Sequence, residues 1–337
     1  MHAIRKLPIL ATIPRSGTWF LRYAVSFLIH LDRGGRVEDR VTREIVGRPS
    51  GVSFDFHRFQ GGPLFLSHRS LPSEHLFIGH TVCPGFANIA GNFAWWPKTD
   101  FHVPGYDYLH DDLNYAYTPV DLAPEIAYAP LSVPALERAA SAGHSAPLAL
   151  VYRNPVSQAA SYFRYCIGHE SPAYNMLEGR PLAQVPFRDY LFGSALPSYA
   201  KQFVSFQAVA ERHPGLVRFV PYECLVARPI EVLANLLNHL LGTSRSDWRN
   251  LHLAVQLARR EHLRAIEAEL GRSLDRTRTG NGSHMRHVRF EDAFDGSLRE
   301  ETIRRLRWMG IDAGYFVWPA ANDRGYARPL ERRVAAE

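Results

Sequence analysis

Two short segments of the chain combine arginine, serine and proline in a spacing that suits the binding of an anion. The first, residues 14–18, reads PRSGT, and the second comprises Arg153-Asn154-Pro155 followed by Ser161. A guanidinium can bind a phosphate or a sulfate through two parallel hydrogen bonds, and serine hydroxyls add further donors. Neither segment has the G-x-x-x-x-G-K-[ST] pattern of the common nucleotide-triphosphate loop. The residue types therefore indicate an anion site of a different kind.

The surroundings of the PRSGT segment predict how it is held. Residues 7–13 are apolar and have the length of a buried parallel strand, the proline ends that strand, and an apolar-rich helical pattern follows. Ser16 and Thr18 can cap the helix, and Gly17 lets the main chain come close to a ligand. The first N–H groups of the helix and its dipole would favour an anion beside Arg15. The alternative is an ordinary strand-turn-helix junction with an arginine on the surface.

The second segment has the same predicted arrangement. Residues 148–152 are short and apolar, and Pro155 stands where prolines are favoured, in the first turn of a helix. Arg153 would lie at the carboxyl end of the strand and Ser161 about two turns into the helix. Ligands of open α/β sheets bind at that edge. Both side chains are expected to reach one phosphate.

In this order, the two motifs resemble those of the sulfotransferases that use 3′-phosphoadenosine 5′-phosphosulfate (PAPS). PRSGT is similar to the family's 5′-phosphosulfate loop, P-[KR]-S-G-T-T, and R-N-P with a serine eight positions after the arginine is similar to its 3′-phosphate motif. The resemblance implies an α/β fold with a P-loop-like parallel sheet flanked by helices. The nucleotide-binding residues that it implies in these motifs are Arg15, Ser16, Gly17, Thr18, Arg153 and Ser161.

Two further segments extend the resemblance. Residues 75–82 are similar to the family strand that delivers a catalytic histidine, here His80. Residues 217–240 resemble a strand with a Tyr-Glu pair, followed by a helix that opens after a proline, and they imply that Tyr222 lies at the nucleotide.

Some positions depart from the family pattern. Trp19 stands where a second threonine is expected, and Phe20 where the family has an adenine-stacking tryptophan, so both are assigned to the nucleotide site. The family's later R-K-G-x-x-G motif has no full counterpart. Arg286 lies in similar surroundings without the glycines, and Arg278 is its rival for the same role.

A long stretch between the histidine and the second motif is expected to be an insertion over residues 84–145. Its first half is rich in aromatic residues, which suit stacking on a sugar ring or on an aromatic acceptor. We assign Phe86, Trp95 and Trp96 to the acceptor site. The alternative is that these side chains only pack the insertion onto the domain.

Length and composition fit one α/β domain with insertions as well as two domains, and we assign a single domain over residues 1–320 with a peripheral tail over 321–337. The chain has 337 residues and a formal net charge of +6. Its basic residues are dispersed, which argues against nucleic-acid binding, and its histidines lack the spacing of a known zinc site, so no metal is expected. The three cysteines lack paired spacing, which predicts a cytoplasmic protein. The sequence has no long apolar run, so no integral membrane segment is expected. The oligomeric state is open.

The activity that the resemblance implies is transfer of the sulfuryl group of PAPS to a hydroxyl group, or to an amine, with release of 3′-phosphoadenosine 5′-phosphate (PAP). The acceptor would be a small molecule, a carbohydrate or a natural product. His80 would act as the general base, with Glu74 and Asp100 as alternatives, and Arg15 would stabilise developing charge. Two other functions fit the residues: an ATP-dependent P-loop phosphotransferase and an inactive protein that only binds PAP.

Overall fold

The computed structural model describes residues 9–32, 34–36, 64–67, 75–79, 148–168, 175–212, 214–241, 247–270 and 296–318. Within these ranges the strands of the main sheet are β1 (Ile9–Thr12), β2 (Leu64–Ser67), β3 (His75–Gly79), β4 (Leu148–Tyr152) and β7 (Val217–Pro221). A separate hairpin is formed by β5 (Met176–Leu177) and β6 (Arg180–Pro181).

Helices connect and flank these strands. They are α1 (Thr18–Asp32), α2 (Pro155–Ile167), α3 (Phe187–Tyr190), a π-helical turn (Leu191–Ala195), α4 (Leu196–Arg212), α5 (Tyr222–Ala227), α6 (Pro229–Leu241), α7 (Trp248–Leu257), α8 (Arg260–Leu270) and α9 (Gly296–Trp308). Short 3₁₀ turns span Leu182–Gln184 and Ala313–Tyr315. In the part of the chain described, none of the helices is long and apolar enough to cross a membrane.

The strands follow the spatial order β2-β3-β1-β4-β7, and all neighbours are parallel except β2 and β3. β1 pairs with β3 on one side and with β4 on the other, so the chain crosses over β1 between β3 and β4. This crossing makes the carboxyl ends of β1 and β4 the switch point of the sheet, where open α/β sheets bind ligands. The chain therefore has an α/β fold, with a largely parallel sheet flanked by helices.

Both faces of the sheet are covered because side chains alternate along each central strand. Leu148 and Leu150 of β4 share a core cluster with residues of α2 and α4. Ala149 and Val151 share the opposite cluster with residues of α1, α6 and α7. All four side chains are fully buried, as expected for a parallel sheet between two layers of helices. The loops that leave β1 and β4 consequently start from a rigid base.

Most of the predicted elements are confirmed, and one is wrong. The strand at 148–152 has the predicted bounds, and the amphipathic pattern over residues 229–241 predicts the helix that is observed there. A similar pattern predicts one helix over residues 246–270, but α7 ends at Leu257 and α8 begins at Arg260. Leu251 of α7 and Leu263 of α8 pack into the same core cluster, so the chain turns at the buried Ala258 to bring both apolar faces onto it. The insertion at 84–145 and the tail at 321–337 lie outside the described residues, and the single-domain assignment stays a prediction.

Candidate functional site

Two loops lie side by side at the switch point of the sheet. The first loop, residues 13–17, joins β1 to α1, and the second loop, residues 153–154, joins β4 to α2. Arg15 Nε donates a hydrogen bond to Ser161 Oγ of α2 at 3.3 Å, and Gln158 Nε2 donates to the carbonyl of Pro14 at 3.0 Å. The two motifs, which are far apart in the sequence, are therefore in contact at one edge of the sheet.

The backbone of the first loop has an unusual conformation. Arg15 has a φ of 68° and Gly17 a φ of 88°, so both lie in the left-handed region on either side of Ser16. For an arginine this conformation costs about 1 to 3 kcal/mol, which the surrounding structure must supply. Loops with such left-handed residues make concavities lined by N–H groups that bind anions. The first intrahelical bond of α1 runs from Leu21 N–H to the carbonyl of Gly17, so Gly17 holds the capping position.

The predicted cap of α1 by Ser16 and Thr18 is wrong. Thr18 Oγ1 instead shares a 2.8 Å hydrogen bond with Thr12 Oγ1, and Thr12 Oγ1 also donates to the carbonyl of Gly79 at 3.3 Å. Ser16 Oγ is buried and has no hydrogen-bond partner among the residues that the structure describes. Gly17 holds the capping position, so Ser16 precedes it, Thr18 follows it, and neither side chain caps α1. A buried donor without a partner costs about 1 to 3 kcal/mol, which an anion accepting that bond would recover.

The second loop is held by hydrogen bonds on every side. Asn154 caps α2, because its Oδ1 accepts from Val156 N–H at 3.1 Å and from Ser157 N–H at 3.3 Å. Its own N–H donates to Glu223 Oε1 at 3.0 Å. The hydroxyl of Tyr199 donates to the carbonyl of the preceding Arg153 at 2.7 Å. The main chain of the second loop is thus fixed on both sides of the peptide bond between Arg153 and Asn154.

Tyr222 connects the two loops. The guanidinium carbon of Arg153 lies 5.1 Å from the centroid of the Tyr222 ring, a distance at which cation–π attraction operates. A Cβ atom on Gly17 would lie 3.0 Å from two carbons of the same ring, so the absence of a side chain there lets the ring approach the first loop. Three residues assigned to the nucleotide from the sequence, Gly17, Arg153 and Tyr222, are therefore in one cluster.

Burial changes the protonation behaviour around this cluster. Desolvation raises the pKa of Glu223, although the Asn154 N–H and the nearby Arg153 act in the opposite direction. Burial also raises the pKa of the hydroxyls of Tyr152 and Tyr199 well above the ordinary value. Both phenols therefore stay protonated near neutral pH and act as hydrogen-bond donors.

The aromatic residues at the start of α1 pack along that helix. The ring of Trp19 is stacked on Tyr23 at 6.0 Å, and the guanidinium carbon of Arg22 lies 5.8 Å from the Trp19 ring. Arg22 is almost completely buried, and desolvation lowers its pKa to about 10, which leaves it charged near neutral pH. Phe20 is partly buried against the same core cluster. A nucleotide contact by Trp19 or Phe20 stays a prediction.

Several assigned residues lie outside the described part of the chain. They are His80, Phe86, Trp95, Trp96 and Arg286, together with Arg278, Glu74 and Asp100, which were alternatives. The neighbour of His80 in the sequence, Gly79, is described, and it pairs with Ala11 at the end of β1. Among the described residues there is no cluster of three or more histidine, cysteine or acidic side chains that could hold a metal ion.

The sequence motifs missed the buried amides that support the first loop. Gln158 and Gln202 are 5% and 0% exposed, and their Nε2 groups donate to the carbonyls of Pro14 and Thr12. A glutamine on the apolar face of a helix is a usable signal, because buried amides need partners. The partner carbonyls are 144 and 190 positions away, so no local pattern identifies them.

Comparison with known proteins gives structural likenesses only. The sequence matches no family model and no curated protein. A crystal structure of retinol dehydratase with androsterone and the inactive cofactor PAP is 14% identical, with a TM-score of 0.46 over 92% of this chain and 82% of the other. A structure of retinol dehydratase with retinol and PAP is also 14% identical, with a TM-score of 0.47 over 95% and 85%. Because both TM-scores are below 0.5, these likenesses assign no activity to this chain. The function proposed below is inferred from the two loops.

Proposed function

We propose that this chain is a sulfotransferase that moves the sulfuryl group of PAPS to a hydroxyl group of a small-molecule acceptor and releases PAP. The observation that carries the proposal is the hydrogen bond between Arg15 Nε and Ser161 Oγ, which joins the two loops at the switch point. The resemblance of both motifs to the PAPS-dependent family requires the loops to meet in this way. Had they lain on opposite edges of the sheet, one nucleotide could not contact both.

The donors in the cluster match a ligand with two anionic ends. The first loop offers the buried hydroxyl of Ser16, the positive end of α1 and the side chain of Arg15. The second loop offers the guanidinium of Arg153, which is 8% exposed and lies against Tyr222. We infer that the first loop binds the 5′-phosphosulfate and that Arg153 and Ser161 bind the 3′-phosphate. In PAPS the ribose joins these two ends, and Tyr222 would contact the adenine that the ribose carries.

The residues of the chain would divide the chemistry among them. PAPS, when bound, supplies the sulfuryl group, which a deprotonated acceptor oxygen must attack. Arg15 and the N–H groups of the first loop would stabilise the negative charge that develops on the sulfuryl oxygens and on the departing phosphate. His80 would remove the proton of the acceptor, with Glu74 or Asp100 as alternatives. Arg153 and Ser161 would orient the nucleotide without touching the reacting atoms.

Thr12 gives a physical link between the nucleotide site and the proposed base. Its hydroxyl bonds both Thr18 at the start of α1 and the carbonyl of Gly79, the residue before His80. The carboxyl end of β3 is therefore tied to the first loop. Attack by an acceptor next to this strand would occur on the side where the sulfuryl group is held.

Calorimetry with PAP, ATP and AMP, followed by assays with labelled PAPS, tests the proposal. We expect PAP to bind more tightly than ATP or AMP, and labelled sulfate to enter an acceptor from a panel of phenols, sugars and aliphatic alcohols. His80→Ala should retain PAP affinity and lose about 10²-fold or more in turnover, the typical contribution of a general base. Tighter binding of ATP than of PAP would support a phosphotransferase. Tight PAP binding without transfer to any acceptor, including those in an extract of the source cells, would support an inactive binding protein.

A further inference from the structure

A short segment near the end of the described chain contacts the residues on both sides of Arg153. This C-terminal segment comprises residues 313–318. The hydroxyl of Tyr152 donates to the carbonyl of Tyr315 at 2.7 Å, and Asn154 Nδ2 donates to the carbonyl of Val317 at 3.0 Å. Both partners are 163 positions further along the chain, so each bond closes a very long loop.

The C-terminal segment is anchored in the core and closed on itself. Phe316 is 6% exposed, and its ring centroid lies 5.6 Å from that of Tyr152 and 5.3 Å from that of Phe203. Trp318 Nε1 donates to the carbonyl of Ala313 at 2.9 Å, which joins the two ends of the segment. The carbonyls of residues 315 and 317 are thereby presented at defined positions to the second loop.

The geometry explains how this segment can control the direction of an arginine that it does not bond. In extended chain, alternate side chains point the same way and the one between them points the opposite way. Tyr152 and Asn154 are both bonded to the C-terminal segment, while the guanidinium of Arg153 lies over Tyr222. Tyr199 holds the carbonyl of Arg153, so the main chain has little freedom to rotate.

Resting on the proposed function, we propose that the C-terminal segment is a positioning element of the nucleotide site. Its bonds to Tyr152 and Asn154 hold Arg153 in the orientation that receives the 3′-phosphate. Because coupling between two binding events is reciprocal, PAP binding must in turn stabilise the docked segment. The C-terminal segment touches no part of the nucleotide in this scheme and acts only through Arg153.

Two neutral substitutions remove the bonds separately. Asn154→Ser keeps a side-chain oxygen that can cap α2 but lacks the amide that reaches Val317. Tyr152→Phe keeps the buried ring and removes only the hydroxyl bonded to Tyr315. Each lost bond should weaken PAP about 5-fold, which corresponds to about 1 kcal/mol. Affinity for AMP, which lacks the 3′-phosphate, should change less than about twofold, because the effect acts through Arg153.

Hydrogen exchange and a matched control complete the test. In the parent protein, PAP should slow exchange of the amides of Tyr315 and Phe316, which are hydrogen-bonded within the turn. AMP should slow them less, and both variants should reduce the protection by PAP. Gln207→Ala removes another side-chain bond to this part of the chain, from Nε2 to the carbonyl of Gly310 at 3.1 Å, and should leave PAP affinity unchanged.

The outcomes separate this inference from the proposed function. A parent protein that does not bind PAP refutes the proposed function. If the parent binds PAP, unchanged PAP affinity in folded Tyr152→Phe and Asn154→Ser variants overturns the positioning role. Equal weakening of PAP and AMP also overturns it, because that result indicates a general loss of structure.

Discussion

The two loops occupy equivalent places in neighbouring strand-loop-helix units, yet they are built in opposite ways. In the first loop, Arg15 and Gly17 have left-handed backbone conformations, and within the described part of the chain the buried hydroxyl of Ser16 has no partner. In the second loop, the N–H, the side-chain oxygen and the side-chain amide of Asn154 are all hydrogen-bonded. The first loop therefore carries strain and an unused donor, whereas the second is a saturated support for Arg153.

Under the proposed function, this difference explains how one edge of the sheet would bind the two ends of a nucleotide. An anion would stabilise a strained loop that has an unpaired donor, because the anion supplies the missing hydrogen-bond acceptor. A saturated loop gains little at its main chain and must present a charged side chain instead. We infer that the first loop surrounds its anion with N–H and hydroxyl groups and that the second loop offers a guanidinium from a rigid base.

Removal of the positive charge of the first loop should cause the greatest loss of activity. Arg15→Ala should lower turnover about 10²- to 10³-fold, the cost of removing one donor that stabilises developing charge. Single-turnover assays with labelled PAPS measure this loss. Arg188→Ala, which removes an arginine stacked on Phe192, is the matched control and should retain activity. Turnover within threefold of the parent in Arg15→Ala would remove this residue from the reaction.

The next effect concerns the backbone of the same loop. Gly17→Ala places a side chain at a φ of 88° and 3.0 Å from the Tyr222 ring, so it combines backbone strain with a clash. We expect a loss of about 2 to 3 kcal/mol in the free energy of unfolding, measured by urea denaturation. Gly34→Ala has nearly the same φ, 82°, and a Cβ there has no atom of the described residues within 4 Å, so this variant measures the backbone strain alone. Equal losses in the two variants would mean that Tyr222 does not constrain the first loop.

The third effect tests the side chain that the second loop presents. Arg153→Ala should weaken PAP by at least about 1.5 kcal/mol, because a charge-assisted hydrogen bond is lost. Binding of AMP should be nearly unchanged. Arg228→Ala, which removes an exposed arginine paired with Glu231, is the control for loss of one positive charge. Calorimetric titrations that give Arg153→Ala the parent's affinity for PAP would contradict the assignment.

The smallest effect concerns the carboxylate beneath the second loop. Burial raises the pKa of Glu223 above its ordinary 4.5. The protonated Glu223 therefore contributes its full stabilisation below pH 4.5, and this stabilisation is lost as the pH rises through the higher pKa of the folded state. Glu223→Gln keeps an acceptor for Asn154 N–H, and its free energy of unfolding should increase relative to the parent as the pH rises above about 4.5.

Glu301→Gln is a control of opposite sign for this titration. Hydrogen bonds from Arg304 and Arg305 lower the pKa of Glu301 below its ordinary 4.5. The ionised Glu301 therefore stabilises the parent fully above pH 4.5, and this stabilisation is lost as the pH falls through the lowered pKa. The Glu301→Gln variant should therefore become less stable relative to the parent as the pH rises. Unfolding curves at several pH values measure both differences. A Glu223→Gln difference with the same sign as that of Glu301→Gln would contradict the burial of Glu223.

The local sequence pattern was sufficient to predict the strand and the helix on either side of the second loop. The apolar run at 148–152 and the proline at 155 predicted β4 and the start of α2, because each signal is contained within a few neighbouring residues. Local pattern was not sufficient for Ser16 and Thr18, which do not form the predicted helix cap. Both have side chains that favour helix caps, but Gly17 holds the capping position. The left-handed backbone conformation of Arg15 in the same loop cannot be predicted from its residue type.

Residue type and short-range spacing are sufficient to predict the two arginine-serine motifs as a candidate anion site, their place after apolar strands and the α/β order of the elements. No local pattern predicts that Arg15 contacts Ser161, that Tyr222 lies beside Gly17, or that residues 313–318 are bonded to the second loop, because these contacts come from long-range packing. These contacts join residues separated by more than a hundred positions. They form because the crossing over β1 brings the ends of two strands together and buried polar groups must then find partners across the sheet edge.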